Sequence, residues 1–429
     1  MFTKNTSVFF ILLILCSICF AQKADAVLNA KEAFRIESIL AANELKGRKT
    51  GTVEIDKAAD FIANEFKKAG LKMYADLKTY KQTFVYARTK FLNAKAIIDT
   101  SKIEEANIIA ITTDSVIKIN EQSNYTKILV GKSENLLKKA EEILGIEKNQ
   151  LVLVNSFFAN DFKKLKRFKR DAVKSSYSIL FVLSNNEAKK YEIEINNKVT
   201  ETNYSNVIAV LPGKSKKDEF VVYSGHYDHL GTTKNPVAGD SIYNGANDDA
   251  AGTTAVIMLA NYYAKLKKNE RTLIFVAFTA EEIGGYGSQY FSKNINAGKV
   301  VAMFNLEMIG TESKWGKNSA YITGFEKSDF GKILQKNLEG SAFHFEPDPY
   351  PKENLFYRSD NATLAALGVP AHTISTSKMD NEPNYHKLSD EIATLDMENM
   401  TEVIKAIAIS SKTIVSGKDT PMRVEKILD

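Results

Sequence analysis

The chain has 429 residues, of which 44% are apolar and 25% are charged, and its formal net charge is +5 at neutral pH. This length allows two domains or one large one, and the composition is that of a globular protein rather than of a disordered or fibrous chain. A net charge this small for the length gives no indication of nucleic-acid binding.

The N-terminus has the pattern of an export signal. Lys4 precedes the apolar run VFFILLILCSICF, and we predict that residues 1–21 form a cleaved signal peptide, which implies a secreted or periplasmic protein with no stable membrane insertion after cleavage. The alternative is a membrane anchor, for which the run is short. Both cysteines, Cys16 and Cys19, lie in this segment. The mature chain therefore has no disulfides, and any metal must be bound by His, Asp and Glu.

The next two regions differ in character. Residues 22–88 contain the helical patterns NAKEAFRIESILAANEL and DKAADFIANEFKKAGL on either side of the polar turn KGRKTGT. Residues 89–199 are rich in Lys, Asn, Ile and Glu and have no histidine. In this region TKILVGK, QLVLVN and SYSILFVLS predict strands and SENLLKKAEEILG predicts a helix. We therefore predict that 89–199 is an inserted α/β domain within a discontinuous catalytic domain formed by 22–88 and 200–429.

One basic run, FKKLKRFKR, spans residues 162–170. It could bind an anionic surface, but a solvated helix face is the simpler interpretation.

The third region contains all five histidines and alternates strand and helix patterns. The strand patterns are NVIAVLPG, EFVVYSG, TLIFVAFTA, KVVAMFNL and AHTIST, and a helix is predicted from about Ala250 to Lys267. This alternation predicts a doubly wound, mostly parallel sheet covered by helices. The fold class predicted for the chain is therefore α/β, with a smaller inserted α/β domain.

Acids and histidines follow the predicted strands at the point where each strand ends. In open α/β sheets, functional groups gather at the carboxyl ends of the strands. The ligand types found there suit zinc. The candidate metal ligands are His226, Asp248, Glu282, Glu307 and His386.

The charge of this set favours two metal ions. Three carboxylates would leave a site with a single zinc anionic, whereas two zinc ions give a net +1 that a hydroxide neutralises. A two-metal site that produces hydroxide from water at neutral pH is suited to hydrolysis. Glu281, beside the ligand Glu282, is then available to accept a proton as general base.

Five motifs carry a family resemblance: SGHYDHLG, GANDDAAG, FTAEEIGGYGSQYF, NLEMIG and NYHKLSDE. Together they resemble the zinc exopeptidase family of bacterial leucyl aminopeptidases, glutamate carboxypeptidase and glutaminyl cyclase. The resemblance runs from about Ser205 to the C-terminus and, more weakly, includes ELKGRKTGT and FKKAGL.

The resemblance implies two zinc ions per chain as cofactors. His226, Asp248 and Glu307 would hold one ion. Asp248, Glu282 and His386 would hold the other, so that Asp248 bridges the two. Glu307 stands where many family members have Asp, which affects the expected affinity for metal more than the reaction class.

The resemblance also implies roles around the metals. Glu281 would be the catalytic acid and base, and Asp228 would orient His226. The peptide bond between Asp248 and Asp249 would be cis. Tyr385 either donates to the oxyanion or is only a packed aromatic.

Other polar residues have weaker interpretations. Arg358 and Asp360 are expected either to have a functional role, by contacting substrate or positioning the loop that carries them, or to form a surface ion pair. Asp390 is either a partner of His386 or a helix cap. His229 is expected near the site without being a ligand. The remaining histidines, which we expect to be structural or exposed, are His344 and His372.

The sequence thus predicts a secreted di-zinc aminopeptidase acting on peptides, with an insertion of the kind that in this family often resembles a protease-associated domain. A carboxypeptidase and a glutaminyl cyclase are alternatives on the same scaffold. The tandem aspartates and the single tryptophan, Trp315, disfavour the cyclase. A non-catalytic binding protein is a further alternative, against which all five ligands and Glu281 are present. The preferred residue and the oligomeric state do not follow from the sequence.

Overall fold

A computed structural model describes residues 26–168 and 172–427. The predicted signal peptide, and Lys169 and Arg170 of the basic run, lie outside the described residues. Within the described part, none of the helices combines the length and the apolarity required to cross a bilayer.

Helices and strands alternate along most of the described chain. The helices are α1 (Ala30–Leu40), α2 (Val53–Lys68), α3 (Leu136–Gly145), α4 (Ala251–Leu266), α5 (Tyr286–Lys293), α6 (Phe330–Asn337), α7 (Asn361–Ala366), α8 (Met397–Ser410) and α9 (Lys412–Val415). The first nine strands are β1 (Lys72–Met73), β2 (Lys81–Ile98), β3 (Ser101–Ile103), β4 (Ile108–Ile111), β5 (Val116–Asn120), β6 (Thr126–Val130), β7 (Gln150–Val154), β8 (Ala172–Val173) and β9 (Ile179–Leu183). The later strands are β10 (Tyr191–Leu211), β11 (Lys216–His226), β12 (Gly231–Val237), β13 (Asp240–Tyr243), β14 (Arg271–Phe278), β15 (Val300–Leu306), β16 (Ser319–Ile322), β17 (His344–Pro347) and β18 (Ala371–Ser375).

The described residues form two compact units. The first unit comprises those up to Thr83 together with those from Tyr204 onward, and the second runs from Phe84 to Asn203. The bounds predicted from the composition, 89–199, lie inside those of the second unit. The roles of the two units as catalytic domain and insertion remain a prediction.

The first unit is built on a mixed sheet in the order β17–β16–β18–β15–β11–β14–β10. Four central strands are parallel, because β11 pairs in parallel with both β14 and β15, and β15 pairs in parallel with β18. The outer pairs β10–β14 and β16–β18 are antiparallel. The predicted α/β class with a mostly parallel central sheet is confirmed.

Helices cover both faces of this sheet, as β14 illustrates. All eight of its residues are buried. Phe275 belongs to an apolar core shared with α1, α2, α4, α6 and α8. Its neighbour Val276 belongs to a second core shared with α5 and α7. A strand buried on both faces has a nearly continuous apolar sequence, which is why TLIFVAFTA shows no alternation.

The second unit contains a smaller sheet in the order β4–β9–β7–β6, in which β6, β7 and β9 are parallel. Helix α3 packs its buried residues into an apolar cluster with this sheet. Part of the basic run forms a 3₁₀ helix, Phe162–Phe168, in which Phe162 and Leu165 are buried. Its described cations are exposed, as expected for a solvated helix face.

Candidate metal centre

The candidate ligands meet because neighbouring parallel strands end at the same edge of the sheet. Strand β11 ends at His226, β14 ends three residues before Glu281, and β15 ends at the residue before Glu307. The loop that follows β18 returns to this edge with His386. Asp248 lies on the loop that leads into α4.

Three side chains form the first cluster of potential ligands. The His226 Nε2 atom lies 3.2 Å from Asp248 Oδ1 and 3.2 Å from Glu307 Oε1. His226 and Asp248 are buried, and Glu307 is partly buried. This is the first set that the family resemblance implied.

The second cluster shares Asp248 with the first. The His386 Nε2 atom lies 3.1 Å from Asp248 Oδ2 and 3.1 Å from Glu282 Oε2. The two oxygens of Asp248 thus face different clusters, as a bridging carboxylate requires. The peptide bond between Asp248 and Asp249 is cis, as the resemblance implied.

The donor set of both clusters fits zinc. Zinc–ligand bonds of about 2.0–2.1 Å in a tetrahedral site place neighbouring ligand atoms roughly 3.3 Å apart. The four separations of 3.1–3.2 Å agree with this spacing. Asp248 Oδ2 and Glu282 Oε1 are buried, and histidine nitrogens of His386 and His229 lie 3.1 Å and 2.6 Å from them. Buried carboxylate oxygens of this kind are costly unless a cation compensates them.

The surrounding carboxylates favour the protonated, positively charged form of His226 and His386. Burial lowers the pKa of His226, but the carboxylates of Glu307 and Glu281 outweigh it and raise that pKa well above its ordinary value. Hydrogen bonds to Asp248 and Glu282 raise the pKa of His386 to about 10. Two divalent ions would supply this positive charge and release the protons.

Asp228 supports the centre mainly by binding backbone amides of the loop that follows β14. Its two carboxylate oxygens accept hydrogen bonds from the amides of Glu281 (3.1 Å) and Glu282 (3.3 Å). The nearest approach of this carboxylate to His226 Nδ1 is 3.8 Å, whereas the backbone oxygen of Asp228 lies 3.1 Å from that nitrogen. In this geometry the carbonyl of Asp228 lies closer to His226 than its carboxylate does, and the orienting role of the side chain remains a prediction.

Two further acids hold the ligand loops. Asp249 is fully buried and accepts hydrogen bonds from the amides of His226 (3.1 Å) and Met308 (3.0 Å). Asp390 accepts from the amides of Asn247 (2.8 Å) and Asp248 (3.0 Å). Asp390 therefore fixes the bridging ligand rather than His386 or a helix end. The sequence signal for Asp249 was its place in the tandem aspartates.

Glu281 lines the cleft beside both clusters. Its Oε2 atom lies 4.0 Å from His226 Nε2. Burial raises the pKa of Glu281 well above its ordinary value; His226 opposes this shift, and Glu307 and Asp360 add to it. A carboxyl group with a raised pKa is suited to accept and return a proton near neutral pH.

Glu307 reaches the first cluster despite its extra methylene group. Its Oε2 atom accepts a hydrogen bond of 2.7 Å from the Ser359 hydroxyl. Ser359 in turn accepts a hydrogen bond of 2.8 Å from the Asn305 side chain. Ser359 therefore holds the longer side chain in place, and the sequence pointed to this part of the chain only through its neighbours Arg358 and Asp360.

The residues predicted to bind substrate differ in their surroundings. Arg358 lines the cleft, is 43% exposed and pairs with Glu353 at 3.2 Å. Asp360 is buried, and its carboxylate oxygens have no hydrogen-bond partner. Burial raises the pKa of Asp360 to about 7. Arg358 and Asp360 do not form the ion pair considered from the sequence. Tyr385 also lines the cleft, where its ring stacks on His386 at 3.9 Å.

His229 lies closer to the centre than the sequence indicated. Its side chain is fully buried, and its Nδ1 atom lies 2.6 Å from Glu282 Oε1. With Asp248 and Glu282 it forms a further set of atoms close enough to share a cation. His372 is buried between Ser328 and the Thr323 carbonyl, and His344 is exposed. Both have the non-catalytic surroundings that we expected.

Three non-glycine residues with a positive φ angle also lie at this edge of the sheet. Ala280, Met308 and His386 all have positive φ angles, of 61°, 51° and 55°. Non-glycine residues rarely adopt this conformation, and such strain is characteristic of functional sites. Ala280 precedes Glu281 and Met308 follows Glu307, so the strain lies at residues that aim the site's side chains.

Residues 206–410 match the sequence model of Peptidase family M28. This region is a Peptidase family M28 domain. The family resemblance carried by the five motifs is therefore confirmed for the part of the chain that contains all the candidate ligands.

Part of the chain is similar to named proteases. A "Probable zinc metalloprotease" of Pyrenophora teres f. teres is 34% identical over 110 residues, which is 25% of this chain and 23% of the relative. "Aminopeptidase YwaD" of Bacillus subtilis is 23% identical over 244 residues, covering 53% of this chain and 48% of the relative. The chain thus spans about a quarter to a half of the length of these curated relatives.

The fold extends beyond the M28 domain. The structure of an aminopeptidase from Aneurinibacillus sp. strain AM-1 aligns over 95% of this chain and 97% of its own, with a TM-score of 0.53 and 18% identity. At this identity the alignment establishes a shared fold for nearly the whole chain.

Proposed function

We propose that this protein is an exported di-zinc aminopeptidase that removes N-terminal residues from peptides. One observation carries the proposal: two clusters of zinc-type ligands share the two oxygens of Asp248, with Glu281 beside them in the same cleft. The M28 match supports peptide hydrolysis. The pattern of residues 1–21 supports export.

In this proposal His226, Asp248 and Glu307 hold one zinc ion, and Asp248, Glu282 and His386 hold the other. When bound, the ions would supply Lewis acidity that activates a water molecule and polarises the scissile carbonyl. The chain itself then has to hold the ligands, move protons and orient the peptide.

Proton transfer is the role of Glu281. Its backbone amide is fixed by the Asp228 carboxylate, and its side chain lies 4.0 Å from a ligand nitrogen of the first cluster. Glu281 accepts the proton of the attacking water and returns it to the leaving amine. Tyr385, which directly precedes His386 and lines the same cleft, donates its hydroxyl hydrogen to the developing oxyanion.

The scarcity of cations around the cleft favours a substrate with a free α-amine over one bound by its α-carboxylate. The charged residues that line it are Asp248, Glu281, Glu307, Arg358 and His386. A carboxypeptidase needs cations, usually arginines, to bind the terminal carboxylate in a bidentate manner. Arg358 is the one arginine among the lining residues, and Glu353 already neutralises it.

The cyclase alternative is less well supported. The lining residues include no tryptophan, and Trp315 is 45% exposed. The two-cluster arrangement also favours two ions over one.

The decisive experiment uses two versions of one peptide, N-acetylated and C-amidated, with protein that has been loaded with zinc and analysed for metal content. We expect about two zinc ions per chain, cleavage of the amidated peptide and none of the acetylated one. Removal of zinc by a chelator should abolish cleavage, and added zinc should restore it.

Two outcomes would contradict the proposal in different ways. Cleavage that survives acetylation but not amidation identifies a carboxypeptidase, with Arg358 as the first residue to substitute. One zinc ion at saturation, together with cyclisation of an N-terminal glutamine peptide, identifies a glutaminyl cyclase.

A further inference from the structure

A fully buried arginine lies beneath the candidate metal centre. Arg48 belongs to the polar turn KGRKTGT between α1 and α2, and its exposure is 0%. Its guanidinium group donates four hydrogen bonds, all to backbone carbonyls. The acceptors are Tyr227 (2.8 Å), Leu40 (2.6 Å), Asn244 (2.6 Å) and Gly245 (2.9 Å).

Three of these four carbonyls, those of Tyr227, Asn244 and Gly245, belong to the two loops that carry ligands of both clusters. Tyr227 directly follows the ligand His226 and precedes Asp228. Gly245 lies three residues before the bridging ligand Asp248. One planar guanidinium group therefore bonds to a point beside His226 and to a point just before Asp248.

Other groups of the turn KGRKTGT also contact these two loops. The Thr50 hydroxyl donates to the Asp228 carboxylate at 3.0 Å. Gly47 has a φ of +68°, and a Cβ atom there would lie 2.3 Å from the Tyr243 carbonyl oxygen. Only glycine accepts both the left-handed conformation and so close an approach of backbone. The backbone amide of His229 also donates to the Arg48 carbonyl at 3.3 Å.

Burial of Arg48 is energetically expensive. Burial lowers its pKa, and the carboxylates of Glu37, Asp390, Asp228 and Asp248 oppose this shift. Whole buried ion pairs can often be replaced by packed apolar residues without loss of stability, so stability alone is a weak reason for a buried charge. What an apolar residue or a lysine lacks is a rigid fork of donors that can hold several carbonyls at fixed positions.

We propose that Arg48 is a positioning residue that fixes the separation between the loop of His226 and the loop of Asp248, and thereby sets the zinc affinity of the centre. This inference rests on the proposed zinc binding and extends it to a residue that touches neither substrate nor metal.

The test compares Arg48→Met with Arg271→Met in the full chain. Arg271 is a matched control because it is also a buried arginine, donates to the Ile414 and Asp419 carbonyls and pairs with Glu219, all outside the centre. Zinc affinity is measured by competition with a chromophoric chelator, and the visible spectrum of the cobalt-substituted protein reports ligand geometry. Thermal unfolding of the chelator-treated proteins measures stability separately.

We expect Arg48→Met to weaken zinc binding roughly 10- to 100-fold, the usual effect of losing a group that orients ligands, and to change the cobalt spectrum. Arg271→Met should lower the unfolding temperature while leaving zinc affinity and spectrum unchanged. Arg48→Lys preserves the charge and most of the volume, and serves if the Met variant does not fold. It should also bind zinc more weakly than the wild type.

Wild-type affinity and spectrum in the folded Arg48 variants would overturn the inference, as would an equal loss of affinity in Arg271→Met. A wild-type protein that binds no zinc would instead refute the proposed function.

Discussion

The two units of this protein share an α/β architecture but differ in the charges that they bury. The first unit buries acids, histidines and arginines, including Glu37, Arg48, Asp249, Asp360 and Asp390. Among the described residues of the second unit, the buried polar side chains are neutral: Thr113, Gln150, Ser178 and Asn197. Because buried charges are costly unless they are compensated, their concentration in one unit marks where the chemistry lies.

The strand ends of the two units make the same contrast. In the second unit the parallel strands β7 and β9 end near Asn155 and Asn185. Both side chains accept hydrogen bonds from nearby backbone amides. Asn155 accepts from the Phe157 amide and Asn185 from the Ser156 amide, each at 2.9 Å. In the first unit the equivalent positions carry acids and histidines whose oxygens and nitrogens face one another. A parallel sheet therefore provides the position for a site, and the residue types at its strand ends decide whether a site exists.

The largest effect that we expect distinguishes the roles of Glu281 and Glu282, two adjacent residues of the first unit. Glu281→Gln should retain both zinc ions and lower kcat roughly 10²- to 10⁴-fold, because the amide cannot accept a proton. Glu282→Gln should instead weaken zinc binding, since the amide oxygen is a neutral ligand. Metal analysis and steady-state kinetics on both variants test this division. Equal metal loss in the two variants would contradict it.

Most of the site could be predicted because its ligands follow apolar strands directly. His226, Glu282 and Glu307 are each within a few residues of a strand that is recognisable from its apolar sequence. The residues that support them were harder to find. Arg48 is linked to Tyr227 and Gly245 across 179 and 197 positions of the chain, and no local pattern records such a contact.

The fold was also predictable where elements are strongly patterned. The strands β6, β7 and β9 and the helix α3 of the second unit were predicted close to their bounds. The long strands β2 and β10 were not, because exposed Lys, Arg and Asn residues interrupt the apolar alternation of β2 and β10. Glu37 lies within the predicted helical pattern NAKEAFRIESILAANEL, but no local pattern indicates that it is fully buried beside Thr254.

A smaller effect is expected from that buried glutamate. Burial raises the pKa of Glu37 to about 8. The native state therefore binds this proton more tightly than the unfolded state, so the contribution of Glu37 to the free energy of unfolding is largest below pH 4.5 and falls as the pH rises towards 8. The whole fall is on the order of a few kcal/mol. Glu37→Gln should remove this contribution.

Urea unfolding of the wild type and of Glu37→Gln at pH 5 and pH 8 measures the difference. The variant should be the more stable protein at pH 8, and its stability should change less between the two values. Parallel losses in both proteins would mean that the charge of Glu37 is compensated in the folded state, against the contrast drawn between the units.

The smallest effect is expected in the second unit, where the charges are exposed. Lys118 and Glu194 face each other across β5 and β10 at 3.3 Å and line a shallow groove of that unit. Exposed pairs of this kind contribute little to stability because water screens them. Lys118→Met and Glu194→Gln should leave the unfolding temperature, the zinc content and kcat/KM for the amidated peptide unchanged, and the double variant should behave like either single one. A change in KM alone, with zinc content and kcat preserved, would mean that the second unit binds peptide through its exposed charges. That result would contradict the contrast between the two units.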